Sequence, residues 1–83
     1  MACQVEYRAD IERDLRKIDK PEVKRVLATL EQKLRQDADV GEPLKGELAG
    51  LFRLRVGDYR VIYARTKEGV LVLRIAHRKD AYR

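Results

Sequence analysis

The chain has 83 residues, 45% of them hydrophobic and 40% charged, with a formal net charge of +5. That length holds one domain at most, with a thin core, and the hydrophobic share argues against disorder. No apolar run approaches the roughly 18 residues of a membrane span. "MACQVEYRAD" lacks the cationic and apolar regions of a signal peptide, so a cytoplasmic protein with no membrane association is expected. The single Cys3 makes neither an internal disulfide nor a metal site, and reads as a buried thiol in a first strand.

In "CQVEY", Cys3, Val5 and Tyr7 alternate with Gln4 and Glu6, which predicts a short strand. Ile11, Leu15 and Ile18 then recur at helical spacing among charged residues, predicting an amphipathic helix from about Arg8 to Lys17. Pro21 suits the first turn of a second helix, with Asp19 or Lys20 near its cap and Glu22 at the positive end of its dipole. Val23, Val26, Leu27, Leu30 and Leu34 line one face of that helix, and Lys33 and Arg35 lie in its last turn, where the dipole favours cations. The two helices form an antiparallel hairpin with one apolar stripe. From Asp37 to Gly50 the periodicity stops, and "DADVGEPLKGELAG" reads as a long loop with room for a helical turn around Glu47.

The remainder reads as a β-meander. "LFRLRV" and "YRVIYART" flank Gly57-Asp58, a two-residue hairpin signal with glycine first, as a type II′ turn requires. "KEG" turns the chain into a third run, "VLVLRIAH". The predicted order is β-α-α-β-β-β. This is an α+β fold: a two-helix hairpin on one face of a small, mainly antiparallel sheet, in a single domain over residues 1–83.

The two-residue turn fixes the hairpin register. It places Phe52, Leu54, Val56, Tyr59, Val61 and Tyr63 on one face, toward the helices. It places Arg53, Arg55 and Arg60, with Ile62 and Ala64, on the other. Arg55 falls directly opposite Arg60, and like charges facing each other across an antiparallel ladder are destabilising. The compensation is either a carboxylate from elsewhere, such as Glu42 or Glu47, or an external anion, for which the planar arginine fork is well suited. With a turn at Glu68-Gly69, the third strand adds Leu71, Leu73, Ile75 and His77 to the arginine face and brings His77 beside Arg60. Arg78 and Tyr82 follow at the strand's end.

Charge divides unevenly along the chain. Residues 1–50 carry 10 Lys+Arg against 11 Asp+Glu, and residues 51–83 carry 9 against 3. A basic half of this kind suggests a polyanionic partner, most simply nucleic acid. Charges on the helices read mainly as solvated faces, although Arg13, Arg16, Lys17, Lys20, Lys24 and Arg25 could touch such a partner.

The element order, "PLKGELAGLFRLRVGDYRVIY" and the closing "LRIAHRKDAYR" resemble the RelE branch of the RelE/ParE toxin superfamily over nearly the whole chain. The resemblance implies a toxin of a type II toxin–antitoxin system, held inactive by a cognate antitoxin in a hetero-oligomer that binds DNA through the antitoxin. For the RelE branch it implies an endoribonuclease that cuts mRNA in the ribosomal A site. The 2′-OH attacks the adjacent phosphorus and the 5′ oxygen leaves, without metal or cofactor. Arg60 then matches the arginine that clamps the phosphate, Arg78 the general acid, and Tyr82 the tyrosine that stacks on or orients substrate. Arg53 and Arg55 occupy positions where the family often has lysines, and Lys45 and Lys79 join them as RNA contacts. Because arginine scarcely serves as a base, His77 becomes the candidate base or acid. Two alternatives differ in class: a ParE-like inhibitor of DNA gyrase without catalysis, and a non-catalytic RNA-binding module.

Overall fold

A computed structural model describes residues 4–79, so the expectations for Cys3 and Tyr82 lie outside the described residues. Strand β1 (Gln4–Tyr7) leads into a single α-helical turn, α1 (Glu12–Leu15), and a long helix, α2 (Lys20–Gln36). A two-residue strand, β2 (Glu42–Pro43), and a 3₁₀ turn (Gly46–Leu48) precede β3 (Leu51–Val56), β4 (Tyr59–Arg65) and β5 (Gly69–His77). The sheet order is β1-β5-β4-β3-β2, with β1 parallel to β5 and every other pair antiparallel.

Segment 8–18 is helical in sense but mostly tighter than an α-helix. Ile11, Arg13, Asp14, Lys17 and Ile18 each donate a backbone N–H three residues back, and only the Ile11–Leu15 and Glu12–Arg16 bonds span four. The predicted helix therefore contracts to one α turn. Asp19 is extended at the N-cap of α2, and Pro21 occupies the first turn as expected.

One face of the sheet is closed by α2. Val26, Leu30 and Leu34 pack with Leu54, Val56, Val61, Tyr63, Val70, Val72 and Ile75, and Ile11 closes one end. Phe52 and Tyr63 stack across β3 and β4 with ring centroids 5.3 Å apart. The β3–β4 register is the one the Gly57-Asp58 turn predicts, from Val56 opposite Tyr59 to Phe52 opposite Tyr63. Gly57 has φ +59, in the region where a side chain would be strained, while Asp58 keeps a negative φ.

The β4–β5 register departs from expectation. The turn is centred on Lys67-Glu68: the Thr66 N–H donates to the Gly69 carbonyl at 2.9 Å, and the Gly69 N–H to Thr66 Oγ1 at 3.0 Å. Farther along, Tyr63 pairs with Val72 but Ile62 pairs with Arg74, so Leu73 is an extra residue, a β-bulge. Leu71 and Leu73 keep the predicted face. Beyond the bulge the alternation reverses, and Ile75, at 1% exposure, belongs to the core.

Two polar anchors fix the ends of this arrangement. β1 stops opposite Val72, and the next free stretch of β5 edge is met by α1: Asp14 Oδ2 accepts the Ile75 N–H and Arg74 Nε, both at 2.9 Å. At the other edge, the fully buried Tyr63 hydroxyl donates to the Ala38 carbonyl at 3.0 Å and accepts the Gly41 N–H at 2.9 Å. A Cβ on Gly41 would lie 2.7 Å from that hydroxyl, so the approach requires glycine. The predicted loop is thereby tied down early enough for β2 to form against β3.

Tyr63→Phe removes a partner from two backbone groups beneath the sheet edge. Urea unfolding should show a loss of about 1–3 kcal/mol. Breaking the exposed Glu22–Arg25 pair on α2 should change stability by less than about 0.5 kcal/mol.

Candidate functional site

The sheet face away from α2 carries the arginines. Cross-strand pairing aligns Arg55, Arg60 and Ala76 on one rung and Arg53, Ile62 and Arg74 on the next. These side chains border a groove of about 350 Å³. Leu44, Leu48, Leu51, Ile62, Leu73 and Ala76 form its apolar floor, and Arg8, Arg53, Arg60 and Arg74 supply its cations. Leu48 is 53% exposed, so the floor remains open to a partner.

The carboxylates around this face are few and specifically placed. Glu42 pairs with Arg53 across β2 and β3, and its Oε2 accepts from the Arg53 guanidinium at 3.0 Å. Of the two kinds of compensation open to the sequence, the internal carboxylate is therefore realised at Arg53. Arg8 makes a two-pronged contact with Asp10 at 2.6 and 2.8 Å. The Arg8 hydrogen bond holds the Asp10 carboxyl down at about 2, well below its ordinary value. Asp14 answers Arg74. Arg55 is exposed and has no ion pair among the described residues. It shares its rung with Arg60.

Arg53, Arg55 and Arg60 are thus brought together as the register predicts. The expected position of His77 beside Arg60 is corrected. The bulge at Leu73 and the Lys67-Glu68 turn put His77 opposite Tyr59, on the helix-covered side, and Ala76 opposite Arg60. The His77 ring stands edge-on to Tyr59 with centroids 5.5 Å apart, and its Nδ1 accepts the Lys79 N–H at 3.2 Å. It borders a separate cavity of about 340 Å³ with Asp14, Lys17, Ile18 and Arg74. Arg78 is held beside the hairpin turn by its N–H, which donates to the Asp58 carbonyl at 2.8 Å. Lys45 and Lys79 are exposed, one before the 3₁₀ turn and one after β5. Arg8, Arg74, Leu44 and Leu48 join the site unannounced by sequence. A bulge leaves no composition signal, so Arg74 reads as a core-side interruption of an apolar strand.

A two-helix layer on a five-stranded sheet with one open cationic face is the architecture of the RelE/ParE toxins. The sequence matches the family described as ParE toxin of type II toxin-antitoxin system, parDE, over residues 5–82, and the chain belongs to it. Toxin RelG of Mycobacterium tuberculosis (strain ATCC 25618 / H37Rv) is 47% identical over 51 residues, a stretch covering 59% of this chain and 59% of that relative. The toxin–antitoxin complex RelBE2 of M. tuberculosis contains a chain of similar fold, with TM-score 0.83 and 35% identity over 96% of this chain and 95% of that one. The archaeal RelE-RelB complex of Pyrococcus horikoshii OT3 gives TM-score 0.70 and 26% identity over 98% of this chain and 100% of that one. The protein is a toxin of the RelE/ParE superfamily, with RelE toxins as structural neighbours.

The Arg8–Asp10 contact has a pH signature. The folded-state value of Asp10 is depressed, so its contribution is present above the ordinary carboxylate range and is lost as pH falls from about 4 toward 2. Carboxyl-detected NMR should show Asp10 titrating near 2 in the native chain and returning toward the ordinary range in Arg8→Ala. An unchanged midpoint in the variant would contradict this origin.

Proposed function

We propose that the protein is a ribosome-dependent mRNA endoribonuclease, silenced by a cognate antitoxin. The observation that carries this reading is the rung of Arg55 and Arg60 on an open sheet face, bordered by Arg53 and Arg74. A cluster of fixed guanidinium groups suits the phosphorane-like charge that develops when a 2′-OH attacks phosphorus. In this reading Arg60 clamps the scissile phosphate and Arg55 adds positive potential from the same rung. Arg78, held next to the hairpin turn, protonates the leaving 5′ oxygen; Lys45 and Lys79 contact the RNA backbone, and Tyr82 orients the substrate. The cation-built site has little with which to position a free RNA, and the ribosome supplies that geometry.

The apolar floor beneath the arginines supports the second half of the proposal. Leu44, Leu48, Leu51, Ile62 and Leu73 offer a surface that a protein segment covers better than a sugar-phosphate chain does. An acidic amphipathic segment of the antitoxin fits both the floor and the basic rim, and would occlude the phosphate position. RelBE2 and the archaeal RelE-RelB structure are toxin–antitoxin complexes, which supports a partner of this kind. The hetero-oligomer would bind DNA through the antitoxin. The ParE description of the matched family favours the gyrase reading, and the following experiment separates the two.

Purified protein added to mRNA-programmed ribosomes should produce new 5′ ends confined to the A-site codon, seen by primer extension. Arg60→Ala should lower that cleavage by about 100-fold or more, the typical effect of removing one donor to a developing oxyanion. Arg55→Ala should also slow cleavage while leaving stability within about 0.5 kcal/mol, because it relieves a like-charge pair. A folded, growth-inhibiting protein that leaves ribosome-bound mRNA intact but blocks supercoiling by gyrase would overturn the proposal.

A further inference from the structure

We infer that Asp14, on α1, is a positioning residue that fixes the direction in which Arg74 meets the RNA, an assignment that rests on the endoribonuclease reading above. Asp14 is buried despite its charge, with its side chain 11% exposed against 53% for Arg74. A carboxylate in that setting is costly unless its partners are supplied. A single oxygen, Oδ2, takes two of them: the Ile75 N–H and Arg74 Nε, each at 2.9 Å. The backbone donor is fixed, because Ile75 is laddered to Val61 and sits in the core. The carboxylate is therefore anchored to β5 just past the bulge, and it holds the guanidinium from that point.

The atom that is held decides what remains for a ligand. Arg74 is gripped at Nε and makes no other hydrogen bond among the described residues, so both terminal amino groups are left for a phosphate. Asp10 takes Arg8 differently, at Nε and a terminal amino group together. Space alone does not direct Arg74 to the groove. It borders the groove, but also cavities of about 340 and 260 Å³ on the α1 side, beside Lys17 and Arg13. An arginine free to sample all of this space would spend little of its time at the groove. The grip at Nε narrows those choices, and donors held in advance are the ones that stabilise charge developing on phosphorus. Arg74 stands one rung from Arg60, so one phosphate chain can meet both. The competing role for Asp14 is plain neutralisation, and the two roles differ in sign. Removing a neutraliser frees a cation and strengthens the site, whereas removing a positioning carboxylate frees the same cation and weakens it.

The test measures single-turnover cleavage of mRNA on programmed ribosomes at saturating protein, under conditions where urea unfolding shows each variant folded. Asp14→Asn keeps the shape and an acceptor for the Ile75 N–H, and should cut about 10- to 100-fold more slowly, the range for a misplaced contact. In NMR spectra the Arg74 Nε–H should be protected from solvent exchange in the wild type and unprotected in Asp14→Asn, with the Ile75 N–H protected in both. Arg74→Lys keeps the charge but offers no Nε to be held, and should lose at least as much rate as Asp14→Asn. In the Arg74→Lys background, Asp14→Asn should add no further cost. Arg74→Lys and the wild-type Nε–H signal leave Asp14 in place, so they decide the matter even if Asp14→Asn does not fold. Cleavage by Asp14→Asn at the wild-type rate or faster would overturn the inference and mark Asp14 as a neutraliser. A full further cost in the Arg74→Lys background would overturn it in favour of a purely structural role. Wild-type cleavage by Arg74→Lys, or an unprotected Arg74 Nε–H in the wild type, would overturn it as well. If the wild-type protein cuts nothing, the endoribonuclease reading fails and the assignment with it, whereas wild-type cutting with any of these contrary results sinks the assignment alone.

Discussion

The Tyr63 hydroxyl sits in the core between the Gly41 N–H and the Ala38 carbonyl, and burial raises its pKa further above the ordinary tyrosine value. A buried hydroxyl with both partners supplied is stable; with either one missing it leaves an unpaired polar group inside the protein. That requirement pulls residues 38–41 down onto the sheet and demands a glycine at 41. The next residue is then delivered to the edge of β3, where Glu42 meets Arg53. The aromatic that fills the centre of the core therefore also determines which carboxylate reaches the opposite face of the sheet.

The second constraint is the single extra residue in β5. Without the extra residue, Arg74 would point toward α2, Ile75 would stand opposite Arg60, and His77 would lie on the arginine face. With it, two successive side chains, Leu73 and Arg74, line the groove, and Asp14 reaches from α1 to Arg74 and the Ile75 N–H. The bulge thus trades a histidine for an arginine on the face away from α2. It also shifts the balance of the site toward fixed positive charge and away from groups that titrate near neutrality.

Much of the fold was legible because it obeys short-range rules. Gly57-Asp58 dictates its own turn, and the turn dictates which arginines share a face. The stripe of Val26, Leu30 and Leu34 dictates the buried side of α2. What escaped the sequence depends on distant or alternative pairings. Lys67-Glu68 and Glu68-Gly69 are neighbouring choices for one turn; the choice between them slides β5 by two residues along β4, and the bulge then moves Arg74 to His77 from one face to the other. The two residues of β2 carry no strand signal of their own; they are extended because Tyr63, 22 positions away from Gly41, holds the chain there. Glu42 was visible as a possible counter-ion, but its place within the site required the tertiary structure.

The sheet face presents positive charge in two states of compensation: Arg53, Arg8 and Arg74 face carboxylates, and Arg55 faces solvent beside Arg60. Under the proposed function, a phosphate chain would meet the Arg55–Arg60 rung, with Glu42 on the neighbouring rung beside Arg53. The most direct measurement is chemical-shift mapping of the protein with a non-cleavable 2′-O-methyl RNA oligonucleotide. The account predicts shifts in Glu42, Arg53, Arg55, Arg60 and Arg74, with the outer face of α2 unmoved. Shifts confined to the cations of α1 and α2, with the β3–β5 arginines silent, would contradict it.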